Sequence, residues 1–179
     1  MGRIIIFGNK VLQSNLSNAE IDFINSSDLI FRVNHMNNLS QTGNRVDGMW
    51  LEANFNFLKN CSEEHKDFIQ HCGIIYCPEG HKKRLSKVIT DLNDKEVNII
   101  SDNFLKKINC SNNCVSTIRL AYCLLNDERY LNFDIYILGF DKDRSLSPQY
   151  KIHYHKPKID QEYLDKLLLN KRIHFIEHD

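Results

Sequence analysis

His153, Tyr154 and His155 stand in a row, and Asp160 follows close behind. Imidazole is the side chain best matched to proton transfer near neutral pH, so such a row could supply a general base. Tyr154 can donate a hydrogen bond from its hydroxyl. Asp160, near the entry of a helix, can orient a histidine or simply favour the helix dipole. The plainer reading of the row is an exposed polar cluster with no role. Four other places carry glycine or polar side chains where the chain must turn: Gly8-Asn9, Asn34, Ser116-Thr117 and Gly139-Phe140-Asp141. Asn9 and Asn34 offer uncharged donors to phosphate or ribose oxygens. A helix beginning at Ser116 offers unbonded N–H groups and the positive end of its dipole, which suit a phosphate. Each of these alone reads as a turn or a cap. Their joint placement at one edge of a sheet would make them a site.

No Gly-x-Gly-x-x-Gly or Walker sequence occurs, and Asp141-Lys142-Asp143 is not read as a pair that holds a nucleotide-bound metal. A nucleotide would be bound here through neutral donors and a helix end. His71-Cys72 with Cys77 and His81 could be drawn as a zinc site. Gly73 to Cys77 reads as a buried strand between the two halves, however, and favours core or surface roles for these residues.

The elements that would position these residues begin with Ile4-Ile5-Ile6-Phe7. An unbroken apolar run lacks the alternation of a half-exposed strand and suits one buried on both faces of a parallel sheet. Gly8-Asn9 at its carboxyl end is where an open α/β sheet binds ligands, near the reversal of strand order. A polar loop runs on to Asn18, which caps a short helix whose Ile21 and Ile24 face inward. Asp28 to Asn34 is a strand, 35–44 a loop, and Arg45 to Leu51 a third strand. Glu63 to His71 is helical, and Gly73 to Cys77 a strand. Pro78 then opens a basic helical stretch with His81, Lys82, Lys83, Arg84 and Lys87, read as a solvated face rather than a nucleic-acid patch. Val97 to Ile100 is a strand. Ser116 caps the best helix, with Ile118, Ala121, Tyr122 and Leu125 at helical spacing. Phe133 to Gly139 is a strongly apolar strand, followed by a polar loop over 142–151. An amphipathic helix from Ile159 to Leu169 and a strand from Arg172 to Ile176 complete the alternation. That alternation predicts an α/β fold: one Rossmann-like domain over residues 1–179, with a mostly parallel sheet, flanking helices and right-handed crossovers.

The composition agrees with a single core-forming domain of 179 residues. Lys plus Arg, 23, equals Asp plus Glu, 23. Nucleic-acid binders usually carry a basic excess, so none is expected as a partner. No apolar run approaches the roughly 18–20 residues that span a bilayer. Met1-Gly2-Arg3 leads straight into a strand without a leader, and Ile6 stands where a myristoylation signal wants Ser or Thr. The six cysteines therefore read as mostly reduced thiols in a cytoplasmic protein.

Taken in order, these stretches resemble the sialyltransferases that use CMP-sialic acid, glycosyltransferase families 29 and 42. Ile4 to Asn9 is similar to the opening strand and Gly-Asn turn. Asp28 to Asn34 and Gly43 to Asp47 look like the rest of the large sialyl motif. Ser116-Thr117 through Asp134 to Phe140 looks like the small motif, and His153-Tyr154-His155 the third. The vertebrate members join a Cys of the large motif to one of the small; here the first motif has none. Lys142 and Asp143 stand where the family carries tyrosines.

The resemblance implies a variant of the GT-A fold and an inverting transfer from a CMP-sugar to a glycan hydroxyl. No metal and no other cofactor is required. By it, His155 is the general base, with Tyr154 and Asp160 beside it. Tyr154 or Tyr150 stabilises the departing phosphate. Asn9 and Asn34 meet the phosphate and ribose, and Gly8 and Arg32 belong to the same CMP-sugar site. Ser116 and Thr117 lie beside the nucleotide and the sugar carboxylate. Gly139, Phe140 and Asp141 border the cytosine, and His153 completes the donor site. The donor is CMP-sialic acid or another CMP-activated keto-sugar such as Kdo. A non-catalytic nucleotide-binding domain is the alternative. A bacterial surface glycan, capsule or lipooligosaccharide, is the expected acceptor. Location at the inner face of the membrane, or a homo-oligomer, would be compatible with that role.

Overall fold

A computed structural model of the chain describes residues 1–10, 12, 14–34, 39–141 and 157–176. Seven parallel strands form one sheet: β1 (Gly2–Phe7), β2 (Leu29–Val33), β3 (Gly48–Trp50), β4 (Ile74–Pro78), β5 (Glu96–Ile100), β6 (Phe133–Leu138) and β7 (Ile173–Phe175). Their spatial order is β5-β4-β3-β2-β1-β6-β7. The chain therefore walks outward from β1 to β5, then returns to β6 on the other flank of β1. The reversal lies between β1 and β6, the point at which open α/β sheets form a ligand crevice.

The apolar run of β1 behaves as its composition dictates. Ile4, Ile5 and Ile6 are fully buried. Ile4 and Ile6 join a large core with Phe31, Val33, Trp50 and Ile137 on one face. Ile5 and Phe7 join Ile30 and Leu138 on the other. Each such side chain contributes about 2 kcal/mol when withdrawn from water, and only a doubly covered central strand buries all of them. A third core gathers Met49, Leu51, Ile75 and Cys77.

Among the described residues there are seven α-helices: α1 (Asn18–Asn25), α2 (Leu39–Thr42), α3 (Phe55–Asn60), α4 (Glu63–His71), α5 (Asp102–Lys107), α6 (Ser116–Leu125) and α7 (Pro157–Leu168). Ile24 of α1 lies in the Ile5 and Phe7 core. Phe57 of α3 and Ile69 of α4 lie in the core of Met49 and Leu51. On the opposite face, Leu105 of α5, most of α6, and Leu164 and Leu167 of α7 join the large core. Every residue of α6 from Thr117 to Leu125 is buried, so it is an interior helix rather than an amphipathic one.

Several local expectations change. The cap of α1 is Ser17, not Asn18: its side chain accepts from Glu20 N–H while Glu20 reaches back to the Ser17 backbone. That register turns Ile21 outward, 39% exposed, and leaves Ile24 inside. Four residues expected as loop form α2, and α3 and α5, which carry only weak periodicity, were not anticipated. The basic stretch after β4 is a 3-10 helix, Glu79–Lys87, with Leu85 buried and Lys82, Lys83, Arg84 and Lys87 exposed.

Candidate functional site

The carboxyl ends of β1 and β6 meet closely. Gly8 N–H donates to Leu138 O at 2.8 Å, and Lys10 N–H donates to Gly139 O at 3.0 Å. Gly139 has φ +68°. A Cβ on Gly8 would come within 2.3 Å of Gly139 O. Glycine at position 8 is thus a requirement of close backbone approach, beyond the needs of a turn. Lys10 Nζ pairs with Asp141 at 2.8 Å, tying the two strand ends together beyond the sheet. Gly8, Asn9, Gly139, Phe140 and Asp141 are therefore brought to one place.

Neighbouring β2 and β3 bring a second group to the same edge. In the β1–β2 ladder Phe7 is opposite Arg32, so Asn9 and Asn34 both lie just past it. Asn34 has φ +37°, a left-handed conformation that asparagine tolerates better than most residues. Its N–H donates to Trp50 O at 3.0 Å, and its Oδ1 accepts from Glu52 N–H at 2.8 Å. Glu52, two residues past the end of β3, is the hub. Its Oε1 accepts from Trp50 Nε1 and from Ser116 Oγ, each at 2.9 Å, and pairs with Arg119. The Arg119 guanidinium lies over the Trp50 ring, 4.9 Å from its centroid. Burial alone would raise the Glu52 carboxyl. The Arg119 charge, the Trp50 and Ser116 donors and the nearby His81 outweigh it and hold the group below the usual carboxylate range. Arg119 Nε and His81 Nδ1 are buried without a hydrogen-bond partner among the described residues.

Sequence reasoning missed Glu52 and Arg119. A signal existed for Arg119: one charged residue inside an otherwise apolar helical run is seldom buried unless paired.

The start of α6 differs from expectation. Ser116 is the first helical residue, and the cap is Val115 without a side-chain cap bond. Val115 N–H donates instead to Asp160 Oδ1 of α7 at 2.9 Å, and Asp160 is fully buried. Asp160 thus favours a helix dipole, that of α6 across the core. The positive end of α6, offered by the sequence for a phosphate, already faces two carboxylates, Asp160 and Glu52. Thr117 is buried, 3% exposed, and faces the interior.

Arg32 has a role other than the one assigned to it. It is 0% exposed. Its Nε donates to Arg45 O at 3.1 Å, Nη1 to Thr42 Oγ1 at 2.8 Å, and Nη2 to Thr42 O at 3.3 Å and Gly43 O at 2.7 Å. The guanidinium also stands 4.4 Å from the Phe7 ring centroid. Burial brings its pKa down to about 10. Arg32 anchors the segment between α2 and β3, with its donors committed to that segment instead of facing a ligand.

Tyr150, His153, Tyr154 and His155 lie outside the described residues. Cys72 and Cys77, drawn above into a zinc alternative, are buried in the core of Met49 and Leu51. Among the described residues no three His, Cys, Asp or Glu side chains gather as a metal site, and no helix is long and apolar enough to cross a membrane. No protein-family model matches the chain, and no curated protein matches it significantly.

Proposed function

We propose that the protein is a glycosyltransferase that uses a CMP-activated keto-sugar and transfers the sugar to a glycan hydroxyl with inversion. One observation carries the reading. Gly8, Asn34, Ser116 and the Gly139 to Asp141 segment, far apart in sequence, meet at the carboxyl edge of a parallel sheet around its point of strand-order reversal. That is where the resemblance to sialyltransferases puts the CMP-sugar. In this reading the nucleotide phosphate lies over Gly8 and Asn9, because Asp160 and Glu52 already serve the start of α6. His155 takes the proton from the acceptor hydroxyl as that oxygen attacks the anomeric carbon and CMP departs. Asp160 acts in the fold, holding α6 in register with α7. The donor is CMP-sialic acid or CMP-Kdo, and the acceptor is a surface glycan.

The test is calorimetric titration with CMP, paired with an assay of CMP release from the two donors, with and without glycan acceptors. Saturable CMP binding and donor turnover are expected. His155→Ala is expected to keep binding and lose turnover. CMP binding without release from either donor would favour a non-catalytic nucleotide-binding domain, and a folded protein that binds no CMP would overturn both readings.

A further inference from the structure

We propose that the 3-10 helix Glu79–Lys87, with the outer ridge of α3, is a docking face for an anionic phospholipid surface. The inference goes beyond the nucleotide reading and does not depend on it. An unopposed local charge, an exposed aromatic ring and the layer shared by the two elements support it.

The protein carries as many carboxylates as lysines and arginines, so any attraction to an anionic surface must come from a local excess. Lys82, Lys83, Arg84 and Lys87 supply one. All four are exposed, and Glu79 is the only carboxylate in their helix. Among the described residues their side chains form no ion pair or hydrogen bond. Helical lysines elsewhere are neutralised, Lys66 by Glu63 and Lys166 by Glu162. Asp91 and Asp94 follow only in the turn that enters β5, at the amino edge of the sheet. Buried Leu85 and Val88 hold the helix down, so the cations are anchored to the fold while facing water.

α3 supplies the apolar part. Its first residue, Phe55, is 76% exposed, and Lys59, four positions on along the same ridge, is also exposed. Phe57 of α3 and Leu85 of the 3-10 helix belong to one core, so both elements cover the same face of the sheet. α4 shares that layer. Apart from Glu79, the acidic residues of the layer, Glu63, Glu64 and Asp67, all lie on α4, so its charge is segregated and not mixed.

This combination favours lipid over other polyanions. Nucleic acids are read by side chains that stack on bases or pair with their edges, and glycans by side chains that pair with hydroxyls. Three of the four cations are lysines, compact point charges, and no Asn, Gln, Tyr or Trp stands among them. A cluster of about four to eight basic residues on a helix is the pattern that anionic headgroups attract. A bare phenylalanine ring beside it enters the boundary between headgroups and acyl chains. Each Lys or Arg near such a surface strengthens binding about fivefold, an effect screened beyond about 10 Å at 0.1 M salt.

The experiment is co-sedimentation of the full chain, without nucleotide, with vesicles of phosphatidylcholine alone or with phosphatidylglycerol added. Binding is expected only to the anionic vesicles, at ~0.1 M salt and not at ~1 M. Combined Lys82→Gln, Lys83→Gln, Arg84→Gln and Lys87→Gln should weaken it by several hundredfold, about fivefold per charge, with the urea midpoint unchanged. Phe55→Ser should weaken it by about tenfold. Lys106→Gln with Lys107→Gln, exposed on α5 across the sheet, is the control and should change nothing. Absence of binding to the anionic vesicles, equal binding to the neutral ones, or an equal loss in the α5 control overturns the proposal. So does an oligonucleotide or a soluble acidic polysaccharide that binds the same four cations more tightly than the vesicles do. The salt series on the unsubstituted protein and Phe55→Ser decide the matter even where the fourfold variant does not fold.

Discussion

Replacing Arg119 with methionine keeps the apolar stem but removes the charge from Glu52. The two side chains are 10% and 17% exposed, so the pair is largely out of water. Breaking such a pair from one side costs about 3–5 kcal/mol, because the remaining charge stays desolvated. About 1 kcal/mol of this is the guanidinium's attraction to the Trp50 ring, 4.9 Å away. The pH dependence makes the prediction specific. In the wild type Glu52 is held below its ordinary range. Its stabilisation is present above about pH 4.3, the unfolded value, and is lost as pH falls through the lower folded pKa. In Arg119→Met burial is no longer opposed by that charge, so the carboxyl rises instead. The deficit is then full at neutral pH and is relieved as pH falls through the raised pKa. Urea unfolding at pH 7 should show a loss of about 3–5 kcal/mol, shrinking by about 1–2 kcal/mol near pH 4. Glu52→Gln in the same chain should recover most of the loss, since no buried charge is left unpaired. A deficit equal at both pH values, or a double-mutant coupling below about 0.5 kcal/mol, would refute the reasoning.

The close approach at the point of strand reversal predicts that Gly8→Ala destabilises by about 2 kcal/mol or more and weakens CMP binding, since the new Cβ would meet Gly139 O at 2.3 Å. Gly80→Ala, whose Cβ meets nothing within 4 Å, is the matched control and should leave both the urea midpoint and the CMP titration unchanged. Arg32→Met should cost about 3 kcal/mol in urea by orphaning the carbonyls of Thr42, Gly43 and Arg45, while the folded fraction binds CMP as tightly as wild type. A selective loss of CMP affinity would return Arg32 to the ligand. Asp160→Ala should cost about 1–3 kcal/mol by leaving the buried Val115 N–H unsatisfied, and Asp160→Asn, which keeps an acceptor oxygen, should recover part of it in the same unfolding assay.

What was legible in the chain is what short-range pattern can encode. Ile4-Ile5-Ile6 announces a strand covered on both faces, and the alternation of strand and helix announces a parallel sheet; all seven strands follow. The strand ends at Gly8, Asn34 and Gly139 were legible for the same reason, since each directly follows an apolar run. Element boundaries were less so where two capping residues compete, as with Ser17 and Asn18. Ser17 prevails because Glu20 stands three residues on and completes a reciprocal pair of bonds. The 3-10 geometry after β4 has no distinguishing period, and α3 and α5 are too short to display one.

The heart of the candidate site was illegible because its bonds span long sequence separations. Glu52 and Arg119 are 67 residues apart, and Val115 and Asp160 are 45 apart. Ser116 shows the consequence. A serine before an apolar helical run is ordinarily read as its cap, yet here the run starts one residue earlier than the serine could cap. Val115 takes the cap position without a side-chain bond, and α7 supplies a carboxylate from across the core to its backbone N–H. Freed from capping, the Ser116 hydroxyl turns to Glu52 at the end of β3 and links helix to sheet at the edge where the ligand is proposed. The same two carboxylates make that helix start a poor seat for a third anion. This is the physical ground for assigning the phosphate to Gly8 and Asn9, and it makes Gly8→Ala the more discriminating probe of the site than any change at Ser116.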